Sequence, residues 1–504
     1  MISQIKDKSN GKIINSIKDS LGRIIYEAWK LITKSGIPPL SLLNSKGDDL
    51  VDYKVYGNSV QDGTPMPDTP IEIQSIGEKT KNLFDKNKWV GATEVVFNNV
   101  DCLKINDNTS FSYTVDGDNS SQYMFTFKIY RPSGNETKKT NLVTADRGIL
   151  ANITHDTKYS VIISGGETIF FSGWGLEMYI DLSVTQLEEG DTATEYEPYG
   201  YKVPVKVSGK NLFNKEVAGN SENWEKINYR YFPIYVGAGN NVTISYGENL
   251  EVGLGFYIVI GYLESHKGMA IGTWLYHSSN ENLIKTEVTV TADNAGYIYL
   301  NVTGNATNLE QYIFNNNFQI EINPTKTEYE PYVEPITTNI YLDEPLRKID
   351  EYQDYIEFEN KKVVRNIKEK RLLSTDSWQP YIYNSYGIIP FRVTLPFMGL
   401  KRYGHSICSH FSNQKRPIWV SNLINIYSDH PDGNNYYFNT EMTTLDEWKE
   451  WLDNNELILD VILETPTEET IELPNIPTIK GTTIIEVDTE IQPSNAEVIY
   501  KGKN

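Results

Sequence analysis

Lys81-Asn82-Leu83-Phe84-Asp85-Lys86 and Thr194-Glu195-Tyr196-Glu197-Pro198-Tyr199 decide how this chain folds, because both phrases occur twice and in the same order. The first returns as Lys210-Asn211-Leu212-Phe213-Asn214-Lys215, the second as Thr327-Glu328-Tyr329-Glu330-Pro331-Tyr332. An opening and a closing phrase therefore bracket two stretches of nearly equal size. A period of about 130 residues is a whole domain, since solenoid units repeat every 20 to 50 residues or so. A tandem of duplicated domains favours display and binding over a single catalytic cleft.

Between the brackets, short alternating segments are separated by turn residues. The first repeat carries SFSYTV (110–115), QYMFTFKIY (122–130), KYSVIIS (158–164), TIFFSGW (168–174) and MYIDLSVTQL (178–187). The second carries NVTISY (241–246), GFYIVIGYL (255–263), TEVTVT (286–291), GYIYLNV (296–302) and FQIEI (318–322). Alternation with period two and no sustained helical period predicts antiparallel β-sandwiches of the jelly-roll kind, over 80–200 and 201–334. The expected fold class is mainly β, with a C-terminal α+β module over 335–504. That module has strand-like runs and one predicted helix: Thr444-Leu445-Asp446-Glu447 is a capping box, Leu445, Trp448 and Leu452 line one face, and Asn454-Asn455 ends it.

Residues 1–34 read as an attachment element. Ile14, Ile17, Leu21, Ile24, Ala28 and Leu31 fit a short coiled coil, whereas Asn10-Gly11 and Asp19-Ser20-Leu21-Gly22 fit turns. The internal glycine and clustered β-branched residues favour a hairpin. Residues 35–79, with Pro38-Pro39 and prolines at 65, 67 and 70, read as a stiff linker with one strand near Leu50–Gly57.

The charge balance excludes some partners. Of 504 residues, 46 are Lys or Arg against 67 Asp or Glu, a net charge of −21, so a nucleic-acid backbone is not an expected partner. The beginning MISQIKDKSN has no apolar stretch, and Val252–Leu263 is too short to span a bilayer, so no membrane insertion is expected. Cys102 and Cys408 read as reduced thiols.

Several phrases resemble tail and baseplate proteins of phages and prophages of Gram-positive bacteria. They are GNSVQDGTPMPDTPIEIQSIGEKTKNLFD (57–85), VTQLEEGDTATEYEPYGYKV (184–203), residues 342–367 and residues 464–502. The resemblance implies a virion component made in the bacterial host cytoplasm. It further implies a homotrimer that contacts other tail or baseplate proteins and faces host cell-wall or capsular polysaccharide. The closing strand of the second repeat, with Ile322-Asn323-Pro324, is expected to lack the acidic pair Glu188-Glu189.

Sugar recognition needs flat aromatic faces beside amides and carboxylates. Trp89, Tyr123 and Trp174 in the first repeat, and Trp224, Tyr229, Tyr231 and Trp274 in the second, are the candidates, with 223–231 the leading cluster. Asp116 and Asp118 read as a turn before a calcium loop, although jelly rolls of the resembled kind sometimes hold structural calcium. His405, Cys408 and His410 offer too few ligands for zinc on one strand. No nucleophile elbow, zinc-protease helix or phosphate loop is present, so no enzyme and no cofactor are expected. A non-enzymatic host-attachment protein is the leading reading, and a purely structural baseplate or fibre protein, assembling subunits without touching glycan, is the alternative.

Overall fold

The computed structural model describes residues 54–105, 112–138, 140–144, 147–172, 177–214, 230–236, 240–247, 257–263, 271–277, 287–291, 296–303, 317–381, 390–395, 406–413, 425–428, 435–475 and 483–487, with short strands before residue 54. The protein is mostly β, its sheets are almost wholly antiparallel, and two compact units are present: Gly77–Val203 with Tyr341–Pro345, and the remainder.

The first unit is a two-sheet sandwich. Its strands are β1 (Thr93–Phe97), β2 (Val100–Ile105), β3 (Tyr113–Thr114), β4 (Gln122–Tyr130), β5 (Thr140–Thr144), β6 (Gly148–Ile153), β7 (Lys158–Ser164), β8 (Thr168–Ser172), β9 (Met178–Asp181) and β10 (Gln186–Glu189). One sheet runs β1-β2-β9-β4-β7, with β10 also on β4, and the other runs β3-β8-β5-β6. The alternation of β4 sends Tyr123, Phe125, Phe127 and Ile129 into a core shared with Phe84, Trp89, Leu142, Ile163 and Ile180.

The second repeat copies this wiring. Its strands are β11 (Arg230–Val236), β12 (Asn241–Ser245), β13 (Tyr257–Leu263), β14 (Ile271–His277), β15 (Glu287–Thr291), β16 (Gly296–Thr303) and β17 (Gln319–Glu321). The order β11-β16-β13-β14 matches β3-β8-β5-β6, and β15-β12-β17 matches β7-β4-β10. Register agrees as well: Phe125 faces Leu187 in the first copy, and Ile244 faces Ile320 in the second.

The repeated phrases form a clasp. The Asn82 side chain donates to the carbonyls of Thr185 (3.1 Å) and Glu197 (2.9 Å) and accepts from the amides of Phe84 (3.0 Å) and Leu187 (3.1 Å). Asn211 repeats all four bonds, donating to Phe318 and Glu330 and accepting from Phe213 and Ile320. The Thr194 amide donates to Glu188 (2.9 Å) and the Thr327 amide to Glu321 (2.9 Å). Gln186 accepts the Glu197 amide (2.7 Å), as Gln319 accepts that of Glu330 (2.9 Å). Glu321 is thus the counterpart of Glu188. The expected loss of the acidic pair is corrected: only Glu189 is replaced, by Ile322, and the clasp carboxylate is kept.

In the other unit, a five-stranded sheet orders Ser406–Cys408, Leu457–Thr470, Lys362–Leu372, Tyr355–Glu357 and Lys54–Tyr56. Residues 54–76 are therefore no bare linker. Val55 and Ile76 are buried, Lys54–Tyr56 is the edge strand, and the Gln61 side-chain amide donates to the carbonyls of Ile71 and Cys408. Pro65, Pro67 and Pro70 fall in the loop between the two strands Ser59–Val60 and Gln74–Ser75, where they interrupt no ladder. Near the N-terminus Ser16–Lys18 pairs antiparallel with Ile24–Glu27, which is the hairpin form.

The helix α1 (Leu445–Asn454) has the full capping box, with the Glu447 amide donating to Thr444 Oγ1 (3.2 Å) and the Thr444 amide to the Glu447 carboxylate (3.1 Å). Trp448 and Leu452 are buried on one face, and Leu445 packs against the same core. Thr444→Ala is expected to cost about 1 kcal/mol by orphaning the Glu447 amide, measured as a lower denaturant midpoint at unchanged slope. No helix among the described residues is long and apolar enough to cross a membrane.

Candidate functional site

Two of the aromatics expected to meet sugar do not face solvent. Trp89 is 3% exposed and stacks on Phe171 (centroids 5.6 Å apart), while Tyr123 lies in the same core. Inward alternation on β4 places Tyr123 there, and the Phe84–Trp89 contact draws Trp89 under the opening phrase. This corrects both expectations. Trp174, Trp224, Tyr229 and His405 lie outside the described residues, as do the side chains of Tyr231 and Trp274.

The metal candidates are occupied otherwise. The Asp118 carboxylate accepts the amides of Ser120 (2.9 Å) and Ser121 (3.2 Å), a turn arrangement, and Asp116 pairs with Lys88. Strand pairing ends at Cys408, so His410 lies in the following bend rather than on a shared strand face. Cys408 is buried, which pushes its thiol up to about 12, and His410 Nδ1 bonds Ser409 Oγ (2.8 Å) beneath Trp451. Among the described residues no group of three or more His, Cys, Asp or Glu side chains could hold a metal ion.

The outer face of the β1-β2-β9-β4 sheet does assemble aromatic and charged groups. Register sets Thr93, Lys104, Tyr179 and Tyr130 in one row across the strands, and Val95, Cys102 and Asp181 in the next. Phe97 stands at the end of β1, where Asn98 and Asn99 (φ 53° and 62°) make the two-residue turn that returns the chain at Val100. Its ring lies parallel on Tyr179, centroids 3.9 Å apart, and near Tyr130 at 6.1 Å. The edge of His155 meets Tyr130.

Polar groups fix this platform. Lys128 Nζ sits 3.2 Å from Asp156 and 3.3 Å from Asp181, and 4.6 Å above the Tyr130 ring. The Tyr130 hydroxyl donates to Asp181 (2.9 Å), whose other oxygen accepts from Ser183. The hydrogen bond with Tyr130, followed by those with the two aspartates, raises the Lys128 pKa, so the ammonium stays charged throughout the physiological range. Burial, and then the bond to Glu177, pushes Tyr179 up to about 12. Lys104 pairs with Glu177 at 3.1 Å. The result is a held, half-buried phenyl ring beside a cation and carboxylates, suited to stacking a pyranose ring and bonding its hydroxyls. No member of it was among the sequence candidates. The signal was present in QYMFTFKIY, whose Lys128 and Tyr130 occupy the outward positions opposite Phe127 and Ile129.

The tandem CBM51 modules of Sp3GH98, the family 98 glycoside hydrolase from Streptococcus pneumoniae SP3-BS71, match over 50% of this chain and 95% of that one, at 12% identity and a TM-score of 0.15. A likeness at this score decides nothing about the chain. No family model matches it, and no curated protein does.

Proposed function

We propose that this protein is a non-enzymatic appendage of a phage tail or baseplate that binds polysaccharide on the host surface. The open face around Phe97 is the sugar site of the first sandwich. The observation that carries the reading is the Phe97–Tyr179 stack set beside Lys128, Tyr130, Asp156 and Asp181 on the outer face of the β1-β2-β9-β4 sheet. The phage setting, the trimer and the contacts with other tail proteins rest on the resemblance of residues 57–85, 184–203, 342–367 and 464–502. Two modules and several copies per particle would turn weak single contacts into firm attachment, because linked sites gain avidity without new contacts.

A glycan array probed with the full chain tests this. Binding to at least one bacterial wall or capsular polysaccharide is expected, with Phe97→Ala weakening it at least about tenfold through loss of stacking. No glycan signal from the unmodified chain, or a Phe97→Ala signal equal to it, overturns the assignment.

A further inference from the structure

Arg131 follows Tyr130 at the end of β4 and is 1% exposed. The parity of the strand turns it inward, between the two sheets and at the rim of the sandwich. Its Nη2 donates to Thr140 Oγ1, and its backbone amide donates to His155 Nδ1 (2.9 Å). Nε and Nη1 have no hydrogen-bond partner among the described residues. No carboxylate among the described residues pairs with it, and burial alone pulls its pKa down. A desolvated guanidinium without a counter-charge is costly. The usual solution, an Asp or Glu opposite, is used elsewhere in this same module, where Arg147 holds Glu167 and Lys128 holds Asp181.

Arg131 and Thr140 are also the two ends of one loop. Within 132–138 the backbone bonds run from Asn135 to Pro132 and from Lys138 to Asn135, and the Gly134 amide donates to Glu136 of the same loop. Displacing that loop breaks no hydrogen bond between residues 132–138 and either sheet. His155, bonded to the Arg131 backbone, packs on Tyr130 of the aromatic face. The rim and the face therefore belong to one continuous end of the sandwich.

We propose that the Arg131 guanidinium is the recognition point for an anionic group, carboxylate or phosphate, carried by the glycan, with Thr140 as a neighbouring hydroxyl. The inference rests on the glycan reading above and narrows it to acidic polymers. A net charge of −21 opposes a polyanion at long range, so selectivity must come from a short-range, desolvated contact that salt screens weakly. Planar guanidinium donors suit both carboxylate and phosphate oxygens.

The test is calorimetric titration of the full chain with tri-galacturonate, its methyl ester and a glycerol-phosphate trimer, in low and high salt. At least one acidic probe should bind about tenfold more tightly than the ester, as expected for one charge-assisted hydrogen bond, and should keep that margin in high salt. Which acidic probe wins distinguishes carboxylate from phosphate. Arg131→Met should erase the margin while leaving ester binding intact, and should raise the thermal midpoint of the ligand-free protein, because it removes an uncompensated buried charge. Equal binding of acid and ester overturns the inference and leaves the glycan reading standing. A lowered midpoint in Arg131→Met marks the side chain as structural and also overturns it, as does a margin that survives the substitution. Binding of no probe overturns it too, and the array with Phe97→Ala then judges the wider reading separately.

Discussion

Replacing Asn82 by alanine is expected to destabilise the first sandwich by about 3–5 kcal/mol. Asn82 is 3% exposed and uses both ends of its amide, donating to two carbonyls and accepting from two amides. Alanine leaves four backbone groups without partners in a site that admits little water. Each buried orphan costs roughly 1–3 kcal/mol, and the sum is held below the simple total because neighbouring groups relax together. The bonds also join distant chain: they tie the opening phrase to Thr185 and Leu187 on one side and to Glu197 on the other. Losing them frees both ends of the module at once. Asn82→Asp is the informative control. It keeps two acceptors but turns the donating end toward the Thr185 and Glu197 carbonyls as a carboxylate. Its penalty should therefore be large at neutral pH and ease as the pH falls and the carboxyl gains a proton to donate. Denaturant unfolding across pH reads both effects. An Asn82→Ala midpoint equal to the parent's would show that the clasp does not hold the sandwich. Asn211→Ala should behave likewise in the second module, whose four bonds are the same.

That clasp explains why the duplication was legible at all. Lys81–Phe84 and Thr194–Pro198 carry the clasp's bonds to backbone groups, so their spelling is the same in both copies while the strands between them differ. The sandwiches were readable from period-two alternation, and α1 from its capping box, because both signals are local. In residues 35–79 the strand expected near Leu50–Gly57 is present at Lys54–Tyr56, but its partner is not legible, for the converse reason. Lys54–Tyr56 pairs with Tyr355–Glu357, about three hundred residues away in sequence, and nothing local in a proline-rich stretch announces such a partner. The aromatic face around Phe97 is not legible in the sequence because composition treats all rings alike. Trp89 and Tyr123 are conspicuous in sequence yet packed inward, whereas Phe97 and Tyr130 owe their place on the outer face to strand parity and to a two-residue asparagine turn. The Glu188 correspondence slipped by one residue for lack of register; β4 paired with β10, and β12 with β17, supply it.

Trp448→Ala should cost about 3–5 kcal/mol, the range for deleting a large buried aromatic. Trp448 is fully buried, and its ring lies between the parallel rings of Phe391 (5.4 Å, 7°) and Trp451 (5.2 Å, 8°), with Trp378 meeting it edge-on at 5.1 Å. Phe438 and Phe411 complete the surround. Phe391 and Phe438 come from two paired strands, Trp378 and Phe411 from the turns beside the sheet, and Trp451 from α1 itself, so the indole is the point at which the helix is fastened to the sheet. Trp448→Phe separates packing from polarity. The indole Nε1 has no acceptor among the described residues, so phenylalanine discards a buried, unsatisfied N–H while keeping a ring in the stack. The recovered desolvation offsets part of the lost volume, and the expected penalty is only about 1–2 kcal/mol. Far-UV circular dichroism in guanidinium reads the order without relying on the altered fluorophore. A Trp448→Phe penalty as large as that of alanine would mean that an unseen acceptor serves Nε1, and that a polar contact rather than ring stacking fastens the helix.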